Sequence, residues 1–130
     1  MIEKRSLAIH GENEKAPHDL AVLESFFEHD NAAAVSFSHD TWLPELQTTF
    51  LKLATAIRRE KPSEVRFITH RIRGCAAMGG AHQIVSNMRA LDALVDRLSW
   101  RQARGAFREA NYFLRDIRAW VDVEYHHLAS

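Results

Sequence analysis

Apolar residues recur along most of the chain at alternating spacings of three and four, the pattern of helices with one buried face. A short amphipathic segment from Asp19 to Glu28 comes first, and Asp30-Asn31 then predicts the cap of a second helix. That helix is predicted to run from about Asn31 to Arg59. Pro44 should kink or divide it, because proline lacks the backbone N–H of a helical residue.

Three further amphipathic stretches follow. The third helix is predicted from Pro62 to Gly79-Gly80, and its apolar positions are Val65, Ile68, Ile72 and Cys75. The fourth covers Ala81 to Leu98. Ser99 and Gln102 have the spacing of a capping box, which predicts that the last helix starts there.

Helices with such stripes, joined by short connections, are expected to run antiparallel and to pack at shallow angles. Strand signals are poor, with little alternation of apolar and polar residues. We therefore predict an all-α fold: an antiparallel up-down-up-down four-helix bundle with a short extra N-terminal helix packed across one end. Residues 18–130 should form this domain, preceded by a polar flexible arm or linker over residues 1–17.

Composition narrows the functional classes. The chain has 130 residues, and its 17 basic side chains balance its 17 acidic ones, which argues against the strong positive field of a nucleic-acid binder. No apolar run is long enough to span a bilayer, so direct membrane insertion is not expected. The lone Cys75 cannot form an intramolecular disulfide, and we expect a cytoplasmic location.

The most informative residue is His70 in the third predicted helix. Gly74 follows one turn later, although glycine inside a helix costs about 1 kcal/mol relative to alanine. The apolar stripe of that helix points away from His70, so the imidazole should face solvent. Its predicted neighbours on the outer face are Arg66, Phe67, Arg73, Gly74 and Ala77. The residues predicted to bind a partner are Arg66, Phe67, Arg71 and Ala77.

These neighbours favour a phosphoryl-accepting site. Arg73 places a permanent cation where it would stabilise an anion bonded to the ring. Gly74 and Ala77 leave an open surface where the backbone of a partner could come close. An accessible imidazole nitrogen flanked by cations is suited to phosphoryl transfer, which depends mostly on positioning and charge stabilisation.

The run His70-Arg71-Ile72-Arg73-Gly74-Cys75-Ala76-Ala77 resembles the histidine-x-x-lysine-glycine signature of histidine-containing phosphotransfer (HPt) domains, and Gly80-Ala81 matches a glycine-alanine that follows it. The similarity covers about residues 19–121. It implies that His70 is the phosphorylated histidine and that Gly74 clears space beside it. Two residues depart from the pattern: Arg73 replaces the usual lysine, and Gly79 replaces an apolar side chain.

The resemblance implies a phosphorelay carrier that accepts a phosphoryl group from a receiver-domain aspartyl phosphate and passes it to another receiver. Mg²⁺ would come from the receiver, and this chain would bind no cofactor. The chain carries no nucleotide-binding motif, so we expect no kinase activity of its own. It is expected to be monomeric, as a free protein or as the terminal domain of a hybrid sensor histidine kinase.

Two other functions compete with this one. The chain could be a helical interaction module that binds a receiver or kinase domain without being phosphorylated. It could also be the dimerisation domain of a sensor kinase, but Arg71 stands where such domains usually carry an acidic residue.

The remaining candidates are weaker. Asp122 and His126 have the spacing for a shared metal ion, but two ligands near a terminus rarely make a site, and we expect none. Cys75 should be an inert thiol on the core stripe. We expect core or edge positions for the three tryptophans, Trp42, Trp100 and Trp120. We expect surface or capping positions for five histidines, His10, His18, His29, His39 and His82.

Overall fold

The computed structural model describes residues 16–129, and within that range every regular element is helical. The predicted arm before Ala16, including His10, lies outside the described residues. The α-helices are α1 (Leu20–Glu24), α2 (Asn31–Phe37), α3 (Leu43–Arg58), α4 (Pro62–Met78), α5 (His82–Asp96) and α6 (Trp100–Ala129). A 3₁₀ turn, Ser25–Phe27, follows α1, and a π-helical turn, Ser38–Trp42, joins α2 to α3.

Side-chain caps start two of the helices. The Asp19 carboxylate accepts a hydrogen bond from the Ala21 N–H at 3.1 Å, and the Asp30 carboxylate accepts one from Ala33 at 3.1 Å. Both bonds satisfy N–H groups that have no partner inside the helix. The predicted cap at Asp30 is confirmed.

The irregularity expected at Pro44 lies just before it. Proline has no N–H for the carbonyl four residues earlier, and its ring crowds that carbonyl. The helix widens there: the Leu43 N–H reaches back five residues to the Ser38 carbonyl, and α3 then continues regularly. The chain from Asn31 to Arg58 is therefore helical throughout, with one π turn where a kink or break was predicted.

The helices pack around one apolar core. Helix α4 packs on α3 and α5, while α6 packs on α5 and α3, so that α4 and α6 occupy opposite corners. Helix α1 packs on α2, and the π turn packs on α2, α3 and α6. The largest fully buried side chains are Trp42, Leu23, Leu43, Leu46, Leu53, Ile72, Ile84, Met88, Leu91 and Ile117.

The burial of His18 differs from the prediction made from sequence. It was expected at the surface or at a cap, but only 6% of it is exposed. Its ring stacks on Trp42, with centroids 5.7 Å apart, and meets Trp120 edge-on at 5.4 Å. The two tryptophans offer a flat apolar site that excludes water from the imidazole, a contact that no local sequence pattern encodes.

Trp42 also contacts the end of α4. The Trp42 Nε1–H donates to the Cys75 carbonyl at 2.7 Å, and a Cβ added at Gly79 would overlap the Trp42 ring. Gly79, which departs from the HPt pattern, is therefore explained by packing. Nearby, the Asp19 N–H donates to the Gly80 carbonyl at 2.9 Å and joins the start of α1 to the end of α4.

Within residues 16–129, no helix combines the length and the apolar character needed to cross a membrane.

Candidate functional site

Helix α4 buries a different line of residues from the one predicted. The buried positions are Val65, Thr69, Ile72 and Ala76, whereas Ile68 and Cys75 are only half-buried. Thr69 can replace Ile68 because its hydroxyl has partners inside the protein, Asp92 Oδ1 at 2.6 Å and the Arg66 carbonyl at 3.1 Å. The helix is thus turned toward α5 relative to the prediction.

His70 remains on the outer surface after this rotation. It is exposed, as are Arg66, Phe67, Arg71, Gly74 and Ala77. The structure therefore leaves the imidazole, four of its five predicted neighbours and Arg71 accessible on the outer surface of α4.

Arg73 is the exception. Only 30% of its side chain is exposed, because the rotation of α4 brings it against α5. Its Nη1 lies 3.6 Å from Asp92 Oδ2, and its Nη2 lies 3.4 Å from His70 Nδ1. The guanidinium thus lies between a carboxylate and the imidazole instead of extending freely into solvent.

A hydrogen bond between Arg73 and His70 would assign the roles of the two ring nitrogens. A guanidinium can only donate, so Nδ1 of His70 must present a lone pair to Arg73. A neutral ring in that arrangement carries its proton on Nε2. At 3.4 Å the contact is long for a hydrogen bond, so a small movement of Arg73 would release Nδ1 and let the proton change places.

The surroundings of Gly74 are empty. A Cβ built there would meet no atom of the described chain within 4 Å, apart from its immediate neighbours and the local helix backbone. Gly79 and Gly80 differ, because an added Cβ would overlap Trp42 at the first and the Asp19 carbonyl at the second. Internal packing therefore explains Gly79 and Gly80, but it does not explain Gly74.

A shallow groove of about 390 Å³ lies beside the histidine, between α3 and α4. Phe67, 65% exposed, and Arg71 form the wall on α4, and Thr49 and Lys52 face them from α3. Arg66 lies on the other flank of α4, where its Nη1 is 3.0 Å from Asp96 Oδ1. Three of the predicted partner-binding residues therefore border His70, Phe67 and Arg71 on one side and Arg66 on the other.

Asp92 is the residue that the sequence analysis missed. It is 19% exposed, and its two carboxylate oxygens face Thr69 and Arg73. Its one sequence signal is spacing, since Asp92 and Asp96 lie four residues apart and therefore on the same face of α5. The sequence alone does not predict the contact between Asp92 and Arg73, because that contact depends on the rotation of α4.

The other candidates are accounted for by local contacts. Searching residues 16–129 gives no group of three possible ligands for a metal, and Asp122 accepts from Arg118 Nε at 3.2 Å. His39 is half-buried and stacks on Tyr125 at 3.6 Å. Burial raises the pKa of the Cys75 thiol, and the negative charge of Glu45 raises it further, which disfavours the thiolate.

No protein-family model, no curated protein and no solved structure matches this chain.

Proposed function

We propose that this protein is a phosphorelay carrier of the HPt type, with His70 as the phosphoryl acceptor. The observation that supports this most is the open space beside an exposed histidine: Gly74 lowers helix stability although no described atom of the chain needs the room. A docking partner would use that room.

Transfer would use Nε2, the ring nitrogen that does not face Arg73. The Nε2 lone pair attacks the phosphorus of the receiver's aspartyl phosphate, the N–P bond forms, and the P–O bond to the aspartate breaks, returning the carboxylate. This requires the ring proton on Nδ1, so Arg73 has to leave Nδ1 first. Arg73 can then donate to the phosphoryl oxygens, held nearby by Asp92.

An antiparallel up-down-up-down bundle is the finer arrangement that we propose for this fold. Contacts between neighbouring helices support it, since each joins the start of one helix to the end of the next. Arg66 near the start of α4 pairs with Asp96 at the end of α5. Glu60, just after α3, pairs with Arg104 near the start of α6 at 3.8 Å.

The partners proposed are receiver domains, one donating and one accepting the phosphoryl group. The receiver would supply Mg²⁺ and most of the catalytic groups, and the chain itself would bind no cofactor and have no kinase activity. We place the protein in the cytoplasm as a monomer, either free or as the terminal domain of a hybrid sensor histidine kinase.

The test is incubation with a receiver domain carrying labelled aspartyl phosphate, comparing the wild type with His70→Gln. We expect alkali-stable, acid-labile label on the wild type alone. His82→Gln is the matched control, because His82 is also an exposed helical histidine but lies at the start of α5. Equal label on wild type and His70→Gln would refute the proposal.

The same assay separates the carrier from a non-phosphorylated interaction module. Binding of the receiver without label on the wild type would favour the module. Arg73→Ala should slow transfer while the receiver still binds, because Arg73 stabilises the phosphoryl group. Asp92→Asn tests whether the carboxylate holds Arg73 in place, and it should slow transfer less than Arg73→Ala does.

A further inference from the structure

One flank of α6 carries a stripe of arginines. Arg101, Arg104, Arg108, Arg115 and Arg118 follow one another at intervals of three, four, seven and three residues. At 100° per residue they fall within an arc of about 100°, so they share one face of the helix over nearly five turns. All five are exposed. The chain as a whole has no net charge, which makes this stripe a strong local asymmetry.

The stripe borders an apolar groove between α6 and α3 with a volume of about 650 Å³. Its apolar residues are Phe50, Leu51, Ala54, Phe107, Leu114 and Ala119. Two of the arginines, Arg115 and Arg118, also line it, together with Asp122, the partner of Arg118. The Phe50 and Phe107 rings are in contact, with centroids 5.8 Å apart, and form part of the floor. On the α3 wall, Leu51 is 71% exposed.

Helix α3 has one cation in line with its wall of the groove. Gln47, Leu51 and Ala54 line the groove at helical spacing, and Arg58 is the next position on the same line. Across one end of the groove, Arg118 Nη1 donates to Gln47 Oε1 at 2.8 Å and connects the two walls. The groove therefore has an apolar floor, two arginines on its α6 rim, and Arg58 beyond its α3 wall.

Four of these six arginines have no acidic partner among residues 16–129. Arg118 pairs with Asp122 and Arg104 pairs with Glu60. In residues 16–129, Arg58, Arg101, Arg108 and Arg115 form no ion pair, although Arg115 lies over the Tyr112 ring at 5.8 Å. Unpaired guanidiniums flanking an apolar floor are complementary to a ligand that is apolar in the middle and acidic at its edges.

We propose that this surface, the α3–α6 groove, binds an amphipathic helix of a partner protein whose apolar stripe is flanked by aspartates and glutamates. The distance along α6 from Arg101 to Arg118 is about 26 Å, which matches a helix of about 18 residues. The apolar stripe would lie on Phe107 and Leu114, and the acidic side chains would pair with Arg108 and Arg115.

Charge alone would also suit a nucleic acid or an anionic membrane, but the shape favours a helix. Single strands bind by stacking on several aromatic rings. Along this stripe Tyr112 is the one exposed aromatic side chain, and Arg115 already covers its ring. A membrane is nearly flat on this scale, whereas Phe50 and Leu114 lie recessed and almost fully buried.

The experiment uses the full chain to select binders from a displayed library of helical peptides of about 18 residues with randomised surface positions. We expect selected peptides to carry acidic residues on both sides of an apolar stripe. Binding of a purified selected peptide, measured by fluorescence anisotropy, should weaken as salt rises. It should weaken by about tenfold or more in Arg108→Glu/Arg115→Glu and in Leu51→Asp.

Matched variants control for charge and for exposure. Arg89→Glu/Arg97→Glu makes the same two charge reversals away from the groove, and Leu98→Asp replaces a leucine of similar exposure outside it. Both should bind like the wild type. Selected peptides that lack acidic flanks, or that bind the groove variants normally, would overturn the proposal. So would a single-stranded oligonucleotide or phosphatidylserine vesicles that bind through these arginines while no peptide does.

Discussion

At the scale of single residues, the glycines of α4 and its end show how the same residue serves different needs. Gly79 makes room for the Trp42 ring, and Gly80, at φ 76°, adopts a left-handed conformation against the Asp19 carbonyl. Gly74 does neither, and its missing side chain faces open space beside His70. Only at Gly74 can the effect of the glycine on stability be separated from its effect on docking.

Gly74→Ala should therefore raise the free energy of unfolding by about 1 kcal/mol, because alanine favours the helix and finds no clash. Phosphoryl transfer from a receiver should fall by about tenfold or more, because the added methyl group occupies the docking space. Urea denaturation measures the first effect and the labelling assay measures the second.

Gly105→Ala is the matched control for that prediction. Gly105 also lies inside a helix, α6, and its nearest potential contact is the flexible end of Arg108 at 3.9 Å. The control should gain similar stability with no loss of transfer. Transfer that is unchanged in Gly74→Ala would contradict the role assigned to the open space.

The sequence predicted the exposure of a side chain correctly where helical periodicity alone determines it. The exposure of His70, Phe67 and Arg71 follows from helical periodicity alone. The burial of Thr69 does not, because periodicity favours an apolar residue, and it is the partner Asp92 on another helix that makes a buried hydroxyl acceptable. His18 was missed for the same reason, since its site consists of rings from distant parts of the chain.

At the scale of elements, three helices end with the same hydrogen-bond pattern. After α3, α4 and α5, a residue with positive φ follows the last turn, and the next N–H reaches back to a carbonyl five residues earlier. The three positive-φ residues are Glu60, Gly80 and Leu98. Two of them are not glycine, so α3 and α5 end with strain that α4 avoids.

Leu98→Gly should raise the free energy of unfolding by about 1 kcal/mol, because glycine adopts φ 56° without a clash of its Cβ. Thermal or urea denaturation would measure this. Leu98→Ala distinguishes the cause, since it shortens the exposed side chain but keeps the Cβ. A gain as large in Leu98→Ala would show that the exposed side chain, and not the backbone, is responsible.

The helix boundaries were largely predictable from the sequence because caps and breakers act locally. Asp30, Pro62 and the glycines after Met78 start or stop helices where expected. The π turn was not predictable in detail: Pro44 forbids a normal hydrogen bond, but whether the helix breaks or widens depends on Trp42 and Leu43 being buried there.

At the scale of the whole molecule, His18 joins three distant parts of the chain. Its ring contacts Trp42 in the π turn and Trp120 in α6, and Trp42 in turn bonds the end of α4. Neither ring nitrogen of His18 has a hydrogen-bond partner in the described chain. Burial lowers the pKa of His18 from 6.5 to about 4, although the nearby Asp19 charge opposes the shift.

This makes stability depend on pH in a defined interval. The unfolded chain protonates His18 near pH 6.5, whereas the folded protein resists protonation until about pH 4. The stabilising contribution of neutral His18 is therefore complete above pH 6.5 and is lost as the pH falls toward 4. The loss from this group is about 3 kcal/mol. Urea denaturation across the interval, in wild type and His18→Phe, measures it.

His18→Phe keeps a ring between the tryptophans and removes two unpaired nitrogens, so it should be as stable as the wild type or more stable at neutral pH. The difference between the two proteins should then grow as the pH falls. Parallel curves for the two would mean that His18 becomes protonated without disturbing the fold.

The opposite corners occupied by α4 and α6 have a consequence for assembly. His70 faces outward from α4, and the α3–α6 groove lies across the molecule on the far side of α3. A helix held in that groove leaves the histidine uncovered. If the helix and a receiver belong to the same polypeptide, anchoring one raises the effective concentration of the other around His70. The rate of transfer would then be set by the length of the linker between them.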